Sequence, residues 1–145
     1  HLYWLEDVVA HDDYAGLARV AAALAAPLAG GEYLYGIQPF RHMLEACSVD
    51  IVMIDVLRAG GITPWLKIAA MAEAFNLKVV SHLVPEIHVQ LIAGIPNGLT
   101  VEYMPWSGRL FESVPEPVKG ELLVPALPGL GLKFDQAVIK KYGAA

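Results

Sequence analysis

Five ionisable residues, Glu6, Glu32, Asp55, His82 and Glu102, recur along the chain at intervals of 26, 23, 27 and 20 residues. Each stands at the end of a short apolar run, and each interval has the length of one strand–helix unit. Parallel α/β structures gather their chemistry at the C-terminal ends of the strands, so repeated placement there brings distant residues to one rim. Several carboxylates with no cysteine cluster suit a hard cation, for which Mg²⁺ is the usual choice. A histidine one strand away from an aspartate can hold that carboxylate on one ring nitrogen. The contact fixes the tautomer and raises the basicity of the other nitrogen, giving a general base. A further carboxyl group, held protonated, can donate to a developing oxyanion. Metal, base and donor together describe abstraction of a proton next to a carboxylate. Acidic residues at strand ends also cap the helices that follow, and one or two such positions would carry little weight. Five in succession exceed what capping alone supplies.

The segment Val49–Gly61 organises the rest. Ile51 to Ile54 is a continuous apolar run of the kind expected for a strand covered on both faces. It ends in Asp55, whose charge would be costly if buried without a partner. Asp55 therefore needs either a strong pairing or an open strand end facing a site. Gly60-Gly61 supplies a turn, and Thr63-Pro64 reads as an N-cap with proline in the first helical position. Strands are expected over 2–5, 28–32, 49–55, 77–82 and 99–102. Helices are expected over 12–26, from Pro39, from Pro64, and over 86–95. Leu17, Val20 and Leu24 form one helix face, and Phe40, Met43 and Leu44 another. Trp65, Leu66, Ile68, Ala69, Ala72 and Phe75 are expected to face inward, with Asn76 just past the helix end. From Pro105 the texture changes to proline- and glycine-rich loops, with a hairpin turn at Lys119-Gly120. Asp135 caps a last short helix over 136–142. Five strands alternating with helices imply an α/β fold with a parallel sheet.

The 145 residues suffice for one domain with a core. Hydrophobic residues make up 56% and charged ones 17%, an apolar balance that fits strands covered on both faces or a surface meeting another chain. Arg19, Glu86 and His88 interrupt the apolar segments, so none is long enough to span a bilayer. A net charge of −5 offers no basic patch, which argues against nucleic acid as a partner. The single Cys47 leaves no internal disulfide framework and fits a reducing, cytoplasmic setting. It reads as a buried small hydrophobe. There is no signal-peptide pattern, and the chain runs from His1 straight into strand-like residues, as a domain seldom begins.

Five segments taken in order carry a resemblance: Trp4-Leu5-Glu6-Asp7, Gly30-Gly31-Glu32, Ile54 through Thr63, Ser81-His82-Leu83-Val84-Pro85-Glu86 and Val101-Glu102-Tyr103. The ordered set resembles the enolase superfamily, and within it the mandelate-racemase group. The likeness extends through Pro128-Gly129-Leu130-Gly131 and so covers essentially the whole chain. The resemblance implies a partial TIM-type (β/α) barrel, with residues 1–104 as its C-terminal half and 105–145 as a loop-rich tail. It makes Glu6 and Glu32 ligands of Mg²⁺, His82 the general base or returning acid, Asp55 its dyad partner, and Glu102 the hydrogen-bond donor to the substrate carboxylate. The implied reaction takes the proton α to a carboxylate through an enediolate, as an acid-sugar dehydratase or a racemase. The implied partners are a small hydroxy-acid or sugar-acid substrate, further copies of the chain in a homo-oligomer, and a missing N-terminal half or partner chain. Counterparts of the capping domain, of the Lys-x-Lys strand that bears the other base, and of the third metal carboxylate are not found here. Val8 replaces a usual proline.

Other residues carry weaker readings. His42 and His88 fall in helices and read as surface or packing residues, and His1 and His11 have no discernible role. Glu86 suits the positive end of its helix. Arg58 either pairs structurally or contacts an anionic substrate. Trp4, Trp65 and Trp106 read first as packing residues, with Trp106 also a candidate pocket wall. An alternative function is a catalytically silent barrel segment, or the structural half of a two-chain assembly. A nucleotide-binding domain is disfavoured because no G-x-G-x-x-G loop is present.

Overall fold

The computed structural model describes residues 1–143. Five strands, β1 (Leu5–Glu6), β2 (Leu28–Gly30), β3 (Ile51–Ile54), β4 (Lys78–Ser81) and β5 (Gly98–Thr100), lie side by side in chain order, all parallel. Their crossovers are α1 (Tyr14–Ala23), α2 (Gln38–Glu45), the one-turn α3 (Val56–Ala59) with α4 (Ile62–Ala74), and α5 (Pro85–Ala93). Successive β/α units with each new strand beside the last form an arc of a barrel. Among the described residues the arc stays open, with β1 and β5 at its edges.

The alternation of side chains along β3 separates two layers. Val52 and Ile54, with Val79 of β4, face the helices and pack with Phe40, Met43, Leu44, Trp65, Ile68, Ala69 and Ala72. Ile51 and Met53 point the other way, packing with Ala29, Val80, Trp4 and Leu99 on the concave inner face. Both faces of β3 are thus covered, which explains its unbroken apolar run.

Several boundaries differ from the sequence expectations. α1 ends at Ala23 rather than near Ala26, because Leu24 turns extended with ψ 145°, and its side chain is exposed. Leu2 and Tyr3 lie outside β1 and are exposed. α4 begins at Ile62 with Gly61 as its cap, so Thr63 is not the N-cap and Pro64 sits at the third helical position, where no intrahelical N–H is needed. The inserted α3 causes this shift: Asp55 caps it, Gly60 closes it at φ 98°, and Gly61 redirects the chain at φ 107°. Trp65, Ile68, Ala69 and Ala72 form the buried stripe of α4, whereas Leu66 and Phe75 are exposed. Cys47 is exposed, not buried. It occupies a left-handed position (φ 51°) just past α2, which turns its side chain outward. Asn76 takes the left-handed position after α4 with φ 59°, as expected.

Beyond residue 104, β6 (Pro117–Val118) and β7 (Glu121–Leu122) form a hairpin whose turn residues Lys119 and Gly120 both have positive φ. That is the turn geometry matched to strand twist. Asp135 caps α6 (Gln136–Tyr142) through the N–H groups of Ala137 and Val138. The last two residues of the tail expected over 105–145 lie outside the described residues. Among the described residues no helix is long and apolar enough to cross a membrane.

Candidate active site

Register brings the first two site residues together. β3 and β4 pair Met53 with Val80 and Ile54 with Ser81, and the His82 N–H still donates to the Ile54 carbonyl at 3.2 Å. One residue beyond the ladder, Asp55 and His82 stand opposite each other on the inner face, in line with Met53 and Val80. His82 Nδ1 donates to Asp55 Oδ2 at 2.8 Å. Asp55 Oδ1 accepts the N–H groups of Leu57 and Arg58 at 2.7 and 3.0 Å. Asp55 therefore both caps α3 and pairs with His82, one oxygen for each. Burial alone would push the Asp55 carboxyl up, but the Arg58 N–H, the His82 ring and the Leu57 N–H outweigh it and hold the carboxyl below its ordinary range.

Glu32 reaches the same imidazole from the other side. Gly31, at φ 123°, turns the chain at the end of β2, and a Cβ there would lie 2.7 Å from the Met53 carbonyl oxygen. Only glycine fits. The turn carries Glu32 to the rim, where its Oε1 lies 3.3 Å from His82 Nε2. Burial pushes the Glu32 carboxyl up; the His82 ring and a bond from Tyr33 oppose this, and the charges of Asp7 and Glu6 add to it. Arg58 makes structural contacts here. Its Nη1 donates to the Glu32 backbone carbonyl at 2.9 Å, and its guanidinium stacks over the Tyr33 ring at 4.9 Å.

Glu102 lies past β5, where its N–H donates to Ser81 Oγ at 2.9 Å. Its Oε2 accepts the Leu83 N–H at 2.6 Å, leaving Oε1 for other use. Glu6 pairs in register with Ala29, and Ala29 with Ile51. It lies lower along the tilted strands than Asp55 and His82. It is exposed and accepts the Trp4 indole N–H at 3.4 Å. A cavity of about 250 Å³ on the inner face is lined by Trp4, Glu6, Met53, Val80, Ser81 and Glu102, with Thr100 and Val101.

Mg²⁺ fits part of this donor set. Glu32 offers a rim carboxylate whose pKa is raised by burial and by the neighbouring charges of Asp7 and Glu6, an acidic oxygen donor of the kind a hard cation takes. Among the described residues, however, no group of three or more ligand-type side chains lies close enough to hold a metal. Glu6 and Glu32 would be two of the ligands, with others needed.

Behind the Asp55–His82 pair the structure resolves His88, open in sequence between surface and packing, to a buried and hydrogen-bonded position. His88 is fully buried; the Val56 N–H donates to its Nε2 at 3.2 Å, and its Nδ1 donates to the Leu83 carbonyl at 2.7 Å. Val84, His88 and Leu91 share one helical stripe and are all buried, a spacing that could have marked the histidine as interior. Trp65 lies beside it and donates its indole N–H to the Ile54 carbonyl at 3.2 Å. Glu86 is buried too, rather than only facing a helix end. Its Oε1 accepts from Ser107 Oγ, while its Oε2 has no partner among the described residues. Trp106, a candidate pocket wall, is exposed.

The family model described as enolase C-terminal domain-like matches residues 1–138, and the chain belongs to that family of the enolase superfamily. The L-talarate/galactarate dehydratase of Salmonella typhimurium is 32% identical over 136 residues, covering 94% of this chain and 34% of that protein. The D-xylonate dehydratase of Haloferax volcanii is 31% identical over 150 residues, covering 97% of this chain and 36% of that protein. Among solved structures, L-talarate dehydratase from Polaromonas sp. JS666, complexed with Mg and L-glucarate, superposes with a TM-score of 0.92 at 37% identity. It covers 96% of this chain and 39% of that one. The chain thus spans between a third and two-fifths of the length of these relatives.

Proposed function

We propose that this member of the enolase superfamily supplies the acid–base side of an active site that removes the proton α to the carboxylate of an acid sugar and carries it on to dehydration. The observation that bears the reading is the His82 ring, with Nδ1 committed to Asp55 at 2.8 Å and Nε2 turned toward the rim. With Nδ1–H held by the carboxylate, Nε2 is the nitrogen that exchanges a proton with substrate. As the Cα–H bond breaks, the proton passes to Nε2 and the electron pair moves into the substrate carboxylate. Glu102, through the oxygen not used by Leu83, is the donor to that charge. Loss of the β-hydroxyl as water then takes up a proton, which His82 can return. Mg²⁺, held by Glu6, Glu32 and ligands beyond this chain, would supply positive charge beside the same carboxylate. Relatives named as dehydratases of sugar acids favour elimination over racemisation.

The test is His82→Asn in the complete polypeptide containing residues 1–145. Incorporation of deuterium at Cα from D₂O is followed with galactarate and xylonate as probes. Exchange should fall by about 10²–10⁴-fold, the range for a lost general base. Unchanged exchange and turnover would show that His82 is not the base.

A further inference from the structure

Behind the dyad, on the helix side of the sheet, lies an imidazole that the reaction above does not use. Val56, which donates to His88 Nε2, follows Asp55 in sequence, and Leu83, whose carbonyl accepts from His88 Nδ1, follows His82. One ring therefore ties the ends of β3 and β4 together from outside, while the Asp55–His82 bond ties them from inside. The bracket requires a neutral ring with its proton on Nδ1, since Nε2 must accept. Burial, opposed by the Leu83 carbonyl and by the charge of Asp55, holds His88 below its ordinary pKa, in keeping with that neutral form.

The connection needs such a bracket. Leu83 and Val84 both take left-handed backbone conformations, at φ 51° and φ 42°. For a β-branched residue this is strained and persists only when surrounding contacts enforce it. Leu83 is held on both sides of the strain: Glu102 takes its N–H at 2.6 Å and His88 its carbonyl at 2.7 Å. Relaxation of this turn would swing the residue immediately before it, which is His82.

We propose that His88 is a positioning residue whose buried imidazole, accepting from Val56 and donating to Leu83, keeps Asp55 and His82 in facing register. The role rests on the reading of Asp55–His82 as the acid–base pair. His88→Leu in the complete polypeptide removes both bonds at similar volume; His88→Gln restores one acceptor and one donor at comparable spacing. The readouts are the ¹⁵N shifts of the two histidine rings, the downfield proton on His82 Nδ1, and kcat and KM with the sugar-acid probe that the wild type turns over. In the wild type, His88 should carry its proton on Nδ1 alone. His88→Leu should lose the His82 Nδ1 proton signal and lower kcat by about 10–100-fold, the usual cost of a lost supporting contact. KM should stay within about threefold, because the lost contact acts on the reacting geometry rather than on uniform binding. His88→Gln should recover most of both.

A wild-type His88 protonated on Nε2 overturns the proposal. So does a His88→Leu protein that keeps the His82 signal and kcat per folded molecule and merely melts earlier. Where His88→Leu does not fold, the wild-type ring decides: an Nε2 coupled to the Val56 amide supports the bracket, and any other protonation pattern removes it. His82→Asn separates the two readings. If it leaves α-proton exchange intact, the dyad assignment fails; an inactive His82→Asn beside an unaffected His88→Leu refutes only the positioning role.

Discussion

Asp55 and Glu32 touch the same imidazole and are held in opposite ways. Asp55 Oδ2 meets His82 Nδ1 at 2.8 Å, while Oδ1 collects two backbone N–H groups, and its carboxyl sits below the ordinary range. Glu32 Oε1 meets His82 Nε2 at 3.3 Å, and its carboxyl is raised by burial, with the like charges of Asp7 and Glu6 adding to it. The difference lies in what surrounds each one. The Asp55 corner is closed by β3, β4, α3 and α5, all within this chain, so every polar atom of the carboxylate has a donor. The Glu32 corner, at the β1–β2 side of the open sheet, buries a carboxylate beside the like charges of Asp7 and Glu6, with Arg58 directed to the Glu32 backbone carbonyl and the Tyr33 ring. The Asp55–His82 pair is thus held entirely by groups of this chain, whereas among the described residues no group of three or more ligand-type side chains gathers to hold a metal.

The largest effect should come from breaking the closed corner with the least structural change. In Asp55→Asn the side-chain oxygen must stay on the Leu57 and Arg58 N–H groups, since an amide NH₂ there would face two donors. The cap therefore fixes the amide with its NH₂ toward His82 Nδ1. That forces Nδ1 to accept and places the ring proton on Nε2, the wrong tautomer for a base. α-Proton exchange by the complete polypeptide should fall by about 10²–10⁴-fold, and stability should fall by less than in the Ala variant because the cap is kept. Asp55→Ala should lose activity similarly and also cost about 0.5–2 kcal/mol through the missing cap. Equal stability for Asn and Ala variants, measured by urea midpoint, would remove the cap from this account.

How much of this was legible depends on whether a feature is local. The five strands, the capping of α6 by Asp135 and the hairpin at Lys119-Gly120 follow from apolar runs and turn chemistry read along the chain. The Asp55–His82 pair was legible because both close strands of similar length, and register then forces them opposite each other. α3 was not legible: four residues form no period, and its cap was already counted as a site residue. His88 stayed open between surface and packing, because its partners are backbone groups at the start of α3 and in the β4–α5 turn, which no local pattern reveals.

The open corner supports a prediction of opposite sign. A raised carboxyl binds its proton more tightly when folded, so the cost it imposes is absent below about pH 4.5 and full above the folded value. Without metal at neutral pH, Glu32→Gln should therefore raise the unfolding midpoint, whereas neutralising Asp55 should lower it. Added Mg²⁺ should stabilise the wild type, by about 2.7 kcal/mol at a hundredfold excess over Kd, and should do markedly less for Glu32→Gln. A Glu32→Gln protein that melts lower without metal, or that keeps the full Mg²⁺ response, would place Glu32 with Asp55 rather than opposite it.

The smallest effect concerns the ring that holds the closed corner from behind. His88 has its pKa lowered by burial, with Asp55 and His82 the ionisable groups facing it and the Leu83 carbonyl and Val84 backbone as its neighbours. A base with a depressed folded pKa takes up its proton more readily when unfolded. Its contribution to stability is whole above about pH 6.5 and falls as the pH drops toward the folded value, by at most about 1.4 kcal/mol per pH unit. His88→Gln has no such proton. The urea midpoint should therefore fall further between pH 7.5 and 5.5 for the wild type than for His88→Gln, since the other ionisable groups are common to both proteins. Parallel loss in the two proteins would mean that His88 meets solvent in the folded state, and that the corner behind Asp55 and His82 is no more closed than the one beside Glu32.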